Sequence, residues 1–268
     1  MKTFSTALIL LFAAFNSAWC ASQSITLSLP AYHDKSHLYY HELLTKSLAD
    51  IGVKLNIVTP RPHVPHRRGM KMLEKGQLSA LWLLKTEGRD LLYYRVDVPL
   101  TNGLIGRRVL LIPRGAQRIY DPIRSLQDIR NRALVAGLGV GWFDVDVWKA
   151  NGLDFYLKDG EWRHLYRMLS NDGGVNYFPR GVNEILNEAK RNLHLDIEKN
   201  LILEYERDFV FYLSAVDGYY APLLERALRN AQSSGLMQRL IEKHWGDTFK
   251  HLHLDARTVI KLETPTLQ

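Results

Sequence analysis

Apolar and polar residues alternate over residues 24–29, where Ile25, Leu27 and Leu29 are separated by small polar side chains. That two-residue period predicts a strand, stopped by Pro30. Tyr40, Leu44, Leu48 and Ile51 then recur at helical spacing, and Gly52 supplies a stop before a second strand over 53–58. A loop rich in proline and basic residues, 59–68, leads into a short helix over 69–75 closed by Gly76, and then into an apolar strand over 78–84. Further strands are predicted at 109–113, 133–136, 175–178, 201–205 and 209–213, and helices at 125–131, 162–169, 182–191, 222–233 and 236–244. Strands interleaved with helices favour a parallel sheet covered on both faces, with a ligand crevice beyond the carboxyl ends of its strands. Residues 250–268 predict no firm element and read as a tail.

The first residues have a different pattern. Lys2, the apolar run from Ala7 to Phe15 and the small residues Ser17 and Ala18 have the layout of a cleaved secretory signal peptide over residues 1–20. The expectation is therefore an exported, periplasmic protein. Cys20 is the single cysteine, so cleavage after it leaves no thiol for disulfides or catalysis; a lipidated Cys20 is the rival, which bulky Trp19 fits poorly. The chain has 268 residues with a hydrophobic fraction of 46%, enough for one large core or two lobes. Its formal charge of +7 is spread along the chain and mixed with acids, which together with export argues against a nucleic-acid partner.

Several segments resemble, in order, the family 3 extracellular solute-binding proteins. Residues 73–80 (Leu-Glu-Lys-Gly-Gln-Leu-Ser-Ala) are similar to that family's helix, glycine and strand. Thr86-Glu87-Gly88-Arg89 resembles its T-x-x-R stretch, Val98-Pro99-Leu100 the segment before its crossover, and 123–129 the helix ahead of its second lobe's strand. Residues 221–246 resemble its terminal helices, which end in K-x-W-G. Ser79 replaces the common aspartate, Ala31-Tyr32-His33-Asp34 replaces the usual ligand loop, and 139–144 and 175–185 mark a divergent subgroup. The resemblance implies a two-lobed α/β fold of periplasmic binding protein type II, with mixed sheets flanked by helices. Lobe 1 would comprise 21–105 plus 213–249 and lobe 2 would comprise 106–212, with crossovers near 100–106 and 209–213. It also implies capture of a small polar, amino-acid-like ligand by lobe closure, for a membrane permease of the ABC type. The alternatives are a ligand-sensing partner of a membrane receptor and a dehydratase-like enzyme on the same fold.

A carboxylate ligand calls for an arginine, whose planar fork makes two parallel hydrogen bonds. Arg89, Arg107 and Arg108 are the candidates; the resemblance favours Arg107 or Arg108, of which strand alternation turns only one toward the cleft. In the glycine-rich turn 137–142, Gly139 presents backbone N–H groups to an anion and Trp142 a ring to a ligand, although a plain strand-to-helix turn explains the glycines equally well. Tyr32, Trp82, Thr86, Tyr177 and Arg180 complete the expected site because each lies at a strand end. His33, His37 and His41, spaced by four, tempt a zinc reading, but no acidic partner is fixed for them by the sequence and they read as solvated or capping residues. Glu184 and Glu188 read as a solvated helix face. No nucleophile elbow, metalloprotease helix or P-loop is present, so neither a cofactor nor catalysis is expected.

Overall fold

The computed structural model describes residues 23–265 apart from 172. The signal peptide read over residues 1–20 lies outside them. In chain order, lobe 1 opens with β1 (Gln23–Ser28), α1 (Leu38–Ala49), β2 (Val53–Val58), α2 (His66–Glu74), β3 (Ala80–Leu84), α3 (Glu87–Asp90) and β4 (Tyr94–Val96). Lobe 2 follows with β5 (Arg107–Pro113), α4 (Gln117–Tyr120), α5 (Leu126–Asn131), β6 (Ala136–Gly139), α6 (Asp144–Ala150), β7 (Phe155–Lys158), α7 (Leu165–Met168), β8 (Phe178–Gly181), α8 (Ile185–Arg191), β9 (Leu195–Ile197) and β10 (Leu201–Glu204). The chain then returns to lobe 1 as β11 (Phe209–Leu213), α9 (Ala221–Ser233) and α10 (Leu236–Leu252), and ends as β12 (Thr258–Lys261).

Local chemistry accounts for several boundaries. Gly52 and Gly76, with φ of 77° and 66°, stop α1 and α2 in the left-handed conformation that side chains disfavour. Ser125 and Asp128 form a reciprocal capping box that starts α5.

The sheets are mixed rather than parallel. β1 and β2 run parallel, and β1 is tied to the start of β3 by the Ser79 N–H, which donates to the Ser28 carbonyl at 2.7 Å. β11 lies antiparallel between β3 and β4 because it enters from the other lobe. In lobe 2, β5 is central and antiparallel to β8, β9 and β10. Along β5, Leu110 and Ile112 pack into one apolar cluster with Trp148 and Leu203, while Val109 and Leu111 pack into another with Phe178 and Ile202. Both faces of this strand are buried, which is why its sequence is a continuous apolar run instead of an alternation.

Some expectations shift. The strands read at 133–136 and 175–178 lie at Ala136–Gly139 and Phe178–Gly181. Ala133 takes a left-handed φ of 49° in a turn, and Asn176 uses its side-chain oxygen to accept from the Val135 N–H, so in both segments regular strand pairing begins only a few residues later. Within the stretch read as a tail, residues 250–265 carry structure: α10 runs to Leu252, and β12 then pairs in parallel with β10 of lobe 2. Arg257 fixes this crossing from inside, donating to the carbonyls of Leu252, Glu198 and Leu201.

The first two crossings are clasped together. Asp208 accepts from the Thr101 N–H and hydroxyl at 3.0 and 2.6 Å, the Gly103 N–H at 2.7 Å and the Phe209 N–H at 2.6 Å. A side chain at Gly106 would run into the carbonyls of Tyr205 and Arg207, so only glycine allows the crossings to lie this close. The return crossing therefore lies at 205–208, ahead of the strand β11 that was read as the crossover.

Candidate ligand-binding cleft

A cleft of about 510 Å³ opens between the lobes, within the size range of small-molecule sites. From lobe 1 it takes Tyr32 and Tyr40 around the start of α1, His66 at the start of α2, Trp82 on β3 and Arg89 at the end of α3. Trp82 stacks on Tyr40 with ring centroids 4.3 Å apart and meets Tyr32 edge-on at 5.8 Å. These rings give the lobe 1 wall a rigid apolar face whose polar ends border the cavity. His66 is held neutral, its pKa lowered to about 4 by burial and by Arg89.

Lobe 2 supplies the charged wall. Arg108, the inward residue of the β5 pair, meets Asp144 at 3.0 Å and donates to the Tyr205 hydroxyl at 2.7 Å. Arg180 makes a two-pronged pair with Glu188, both contacts at 2.8 Å, and reaches Glu184 at 3.2 Å. Its guanidinium also lies over the rings of Trp162 at 4.6 Å, Phe178 at 5.0 Å and Trp142 at 5.4 Å. Burial works against the charge of both arginines, but the neighbouring carboxylates outweigh it and raise both pKa values. Burial likewise raises the Glu188 carboxyl against the pull of Arg180. Deep in this wall Asp144, Glu184 and Glu188 face Arg108 and Arg180, with Glu184 within 3.6 Å of both, while Arg163 and Arg191 line the same cavity farther out.

Two polar groups in the cleft lack such partners. Arg89 donates Nη1 to the Leu84 carbonyl at 2.6 Å and has no ion-pair partner among the described residues. Burial lowers its pKa, as expected of a cation with no counter-charge. Asn183, 7% exposed, carries a side-chain oxygen that has no hydrogen-bond partner among the described residues. A buried acceptor left unpaired costs about 1–3 kcal/mol, which a ligand donor would recover.

Of the residues singled out by sequence, Tyr32, Trp82, Arg89, Arg108, Trp142 and Arg180 line the cleft. Four do not. Arg107 points to the other face of β5 and lies 3.5 Å from Glu204. Thr86 spends its hydroxyl capping α3, accepting from the Arg89 N–H. Gly139 lies beneath the Trp142 ring, where a Cβ would collide with the indole. Tyr177 is buried in the core of lobe 2, its hydroxyl accepting from Trp148 Nε1 at 3.0 Å.

Sequence reasoning passed over Asp34, Trp162, Asn183, Glu184 and Glu188. The two glutamates, read as a solvated face, turn inward because Arg180 lies opposite them. The histidines are placed without a metal: His37 Nδ1 accepts from the Tyr32 N–H, and the His41 ring bonds the Pro30 carbonyl. No cluster suited to a metal ion occurs among the described residues, nor is any described helix long and apolar enough to cross a membrane.

No family model matches the chain, and no curated protein matches it. Solved structures do. An ancestral arginine-binding protein with bound arginine superposes with a TM-score of 0.57 at 16% identity, covering 82% of this chain and 98% of that one. An amino-acid ABC transporter substrate-binding protein from Streptococcus pneumoniae, bound to L-arginine, gives 0.59 at 14% identity over 83% and 95% of the two chains. A periplasmic arginine-binding protein of Salmonella typhimurium gives 0.56 at 12% identity over 82% and 98%. At such identities the likeness is one of architecture: the chain has the two-lobed α/β fold of the substrate-binding proteins of amino-acid transporters.

Proposed function

We propose that the chain is an exported solute-binding protein that captures a small zwitterionic ligand of the amino-acid class by closing its lobes, and delivers it to a membrane permease. The observation that carries this reading is the complementary pair of unsatisfied groups on opposite walls. Arg89 in lobe 1 is a guanidinium without a counter-charge, suited to a carboxylate. In lobe 2, the oxygen of Asn183, unpartnered among the described residues, and the carboxylate of Glu184, shared between Arg180 and Arg108, suit an ammonium or guanidinium. A ligand with both ends stabilises the closed form because it contacts both lobes at once.

The neighbouring structures that hold arginine or glutamine support this ligand class. Their being binding proteins also supports a non-enzymatic role. Trp82, Tyr40 and Tyr32 would form the apolar wall against the ligand's carbon skeleton. A thermal-shift and calorimetric panel of L-amino acids, their decarboxylated amines and their deaminated acids tests the proposal, since a ligand that binds the folded state raises its melting temperature. Binding that requires both charged ends is the expected result; equal binding of an amine lacking the carboxylate overturns the role given to Arg89.

A further inference from the structure

The mouth of the cleft is bridged by the chain itself. Asp34, in the loop before α1 of lobe 1, accepts from Arg163 Nη2 at 2.7 Å, and its backbone carbonyl accepts from Arg191 Nη2 at 3.3 Å. Both arginines belong to lobe 2, Arg163 just before α7 and Arg191 at the end of α8. A second bridge joins Arg67 of α2 to Asp159, just past β7, at 2.7 Å.

Exposure ranks the two bridges. Arg67 and Asp159 are 65% and 70% exposed, and pairs so open to solvent add almost nothing. Asp34 and Arg163 are 23% and 31% exposed, and each is already held in place. The Ser36 N–H and hydroxyl fix the Asp34 carboxylate at 3.1 and 2.7 Å, while the Trp162 ring lies 4.5 Å from the Arg163 guanidinium. Two partners fixed before they meet lose little side-chain freedom on pairing. Burial alone would raise the Asp34 pKa, but the bonds from Ser36 and Arg163 outweigh it and hold the carboxyl at about 2.

We propose that this latch, Asp34 gripping Arg163 and Arg191 across the mouth, holds the two lobes closed before any ligand arrives. Capture then begins with latch opening, and less of the ligand's binding free energy goes into closing the lobes. The inference rests on the cleft being a ligand site, yet its test needs no ligand. Nitroxides on Asp50→Cys in lobe 1 and Lys149→Cys in lobe 2, both exposed positions, report lobe separation by double electron–electron resonance once Cys20 is replaced by serine. The protein is first stripped of bound solute by unfolding and refolding.

The ligand-free parent should give one short, narrow distance. Asp34→Ala and Arg163→Ala should each shift it to longer, broader distances, and the double variant should open no further than either single one. Arg67→Ala should leave the distribution unchanged. A long, broad distribution in the parent overturns the latch, as does a distribution unmoved in both single variants that remain folded by circular dichroism. Either result leaves the separate evidence for a ligand in the cleft intact, because that reading stands on the binding panel.

Discussion

Arg108 and Asp144 meet at 3.0 Å in the wall of lobe 2, with side chains only 5% and 3% exposed, and the Tyr205 hydroxyl completes the contact by donating to the same aspartate at 3.1 Å. The arginine that strand alternation turns toward the cleft is thus already satisfied by the chain. The role left to Arg108 is to hold the wall together, and the carboxylate end of a ligand falls to Arg89.

Replacing Arg108 by alanine should therefore act first on stability. Removing one partner of a buried pair leaves Asp144 without a counter-charge, at about 3–5 kcal/mol. Urea unfolding measures it. The double change Arg108→Met with Asp144→Leu should recover most of the loss, because the unpaired charge is gone as well.

Arg89→Ala should behave in the opposite way. With no ion pair to break, it should alter the unfolding midpoint little, yet weaken ligand binding by about 100-fold, equivalent to about 3 kcal/mol for a charge-assisted two-pronged contact. Calorimetry with the best ligand of the amino-acid panel reads this directly, and Arg89→Lys should recover only part of the affinity.

Asp208→Asn tests the clasp between the first two crossings. The carboxylate accepts four hydrogen bonds, two at each oxygen, and an amide presents its N–H groups to two of those donors. A loss of about 2 kcal/mol in urea unfolding is expected. Hydrogen exchange at Thr101, Gly103 and Phe209 should accelerate more than exchange in the core of either lobe.

Acid should weaken the fold through its histidines. Burial lowers the pKa of His41 and of His66 to about 4, against 6.5 in an unfolded chain. Below pH 6.5 the unfolded state takes up these protons and the folded state does not, so stability is complete above pH 6.5 and is lost as pH falls toward 4. Each histidine should account for on the order of 1–2 kcal/mol of that loss. Melting temperatures of the parent and His66→Gln across pH 4–7 check it, with a flatter profile expected for the variant. Asp34, held at about 2, should stay ionised throughout this window.

The parts of the fold legible in sequence were those whose periodicity is local. β1, α1, β2 and α9 announce themselves by alternation, by apolar residues three or four apart and by glycine or proline at their ends. β6, built from Ala136, Gly137, Leu138 and Gly139, has too few large side chains for any pattern, and it forms because β7 and Tyr177 pair with it. β12 is only four residues long and depends on a partner more than 50 residues earlier in the chain. The site divides in the same way. Tyr32 and Arg180 lie near strand ends, a rule that needs no partner, whereas Trp82 reaches the cleft from the middle of β3. Glu184 and Glu188 match a solvated helix face until Arg180 and three aromatic rings are brought opposite them. Thr86 and Tyr177 also lie at strand ends, but a helix cap and the Trp148 indole claim their hydroxyls first.

The third crossing, through Arg257 into β12, makes the number of passages between the lobes odd among the described residues. Gln23 accordingly starts in one lobe and Lys261 finishes in the other, so the two ends of the described stretch belong to different lobes. A donor fluorophore joined ahead of Gln23 and an acceptor joined after 265 would report the hinge angle without touching either lobe. An assembly that grips one end would leave the opposite lobe free to swing.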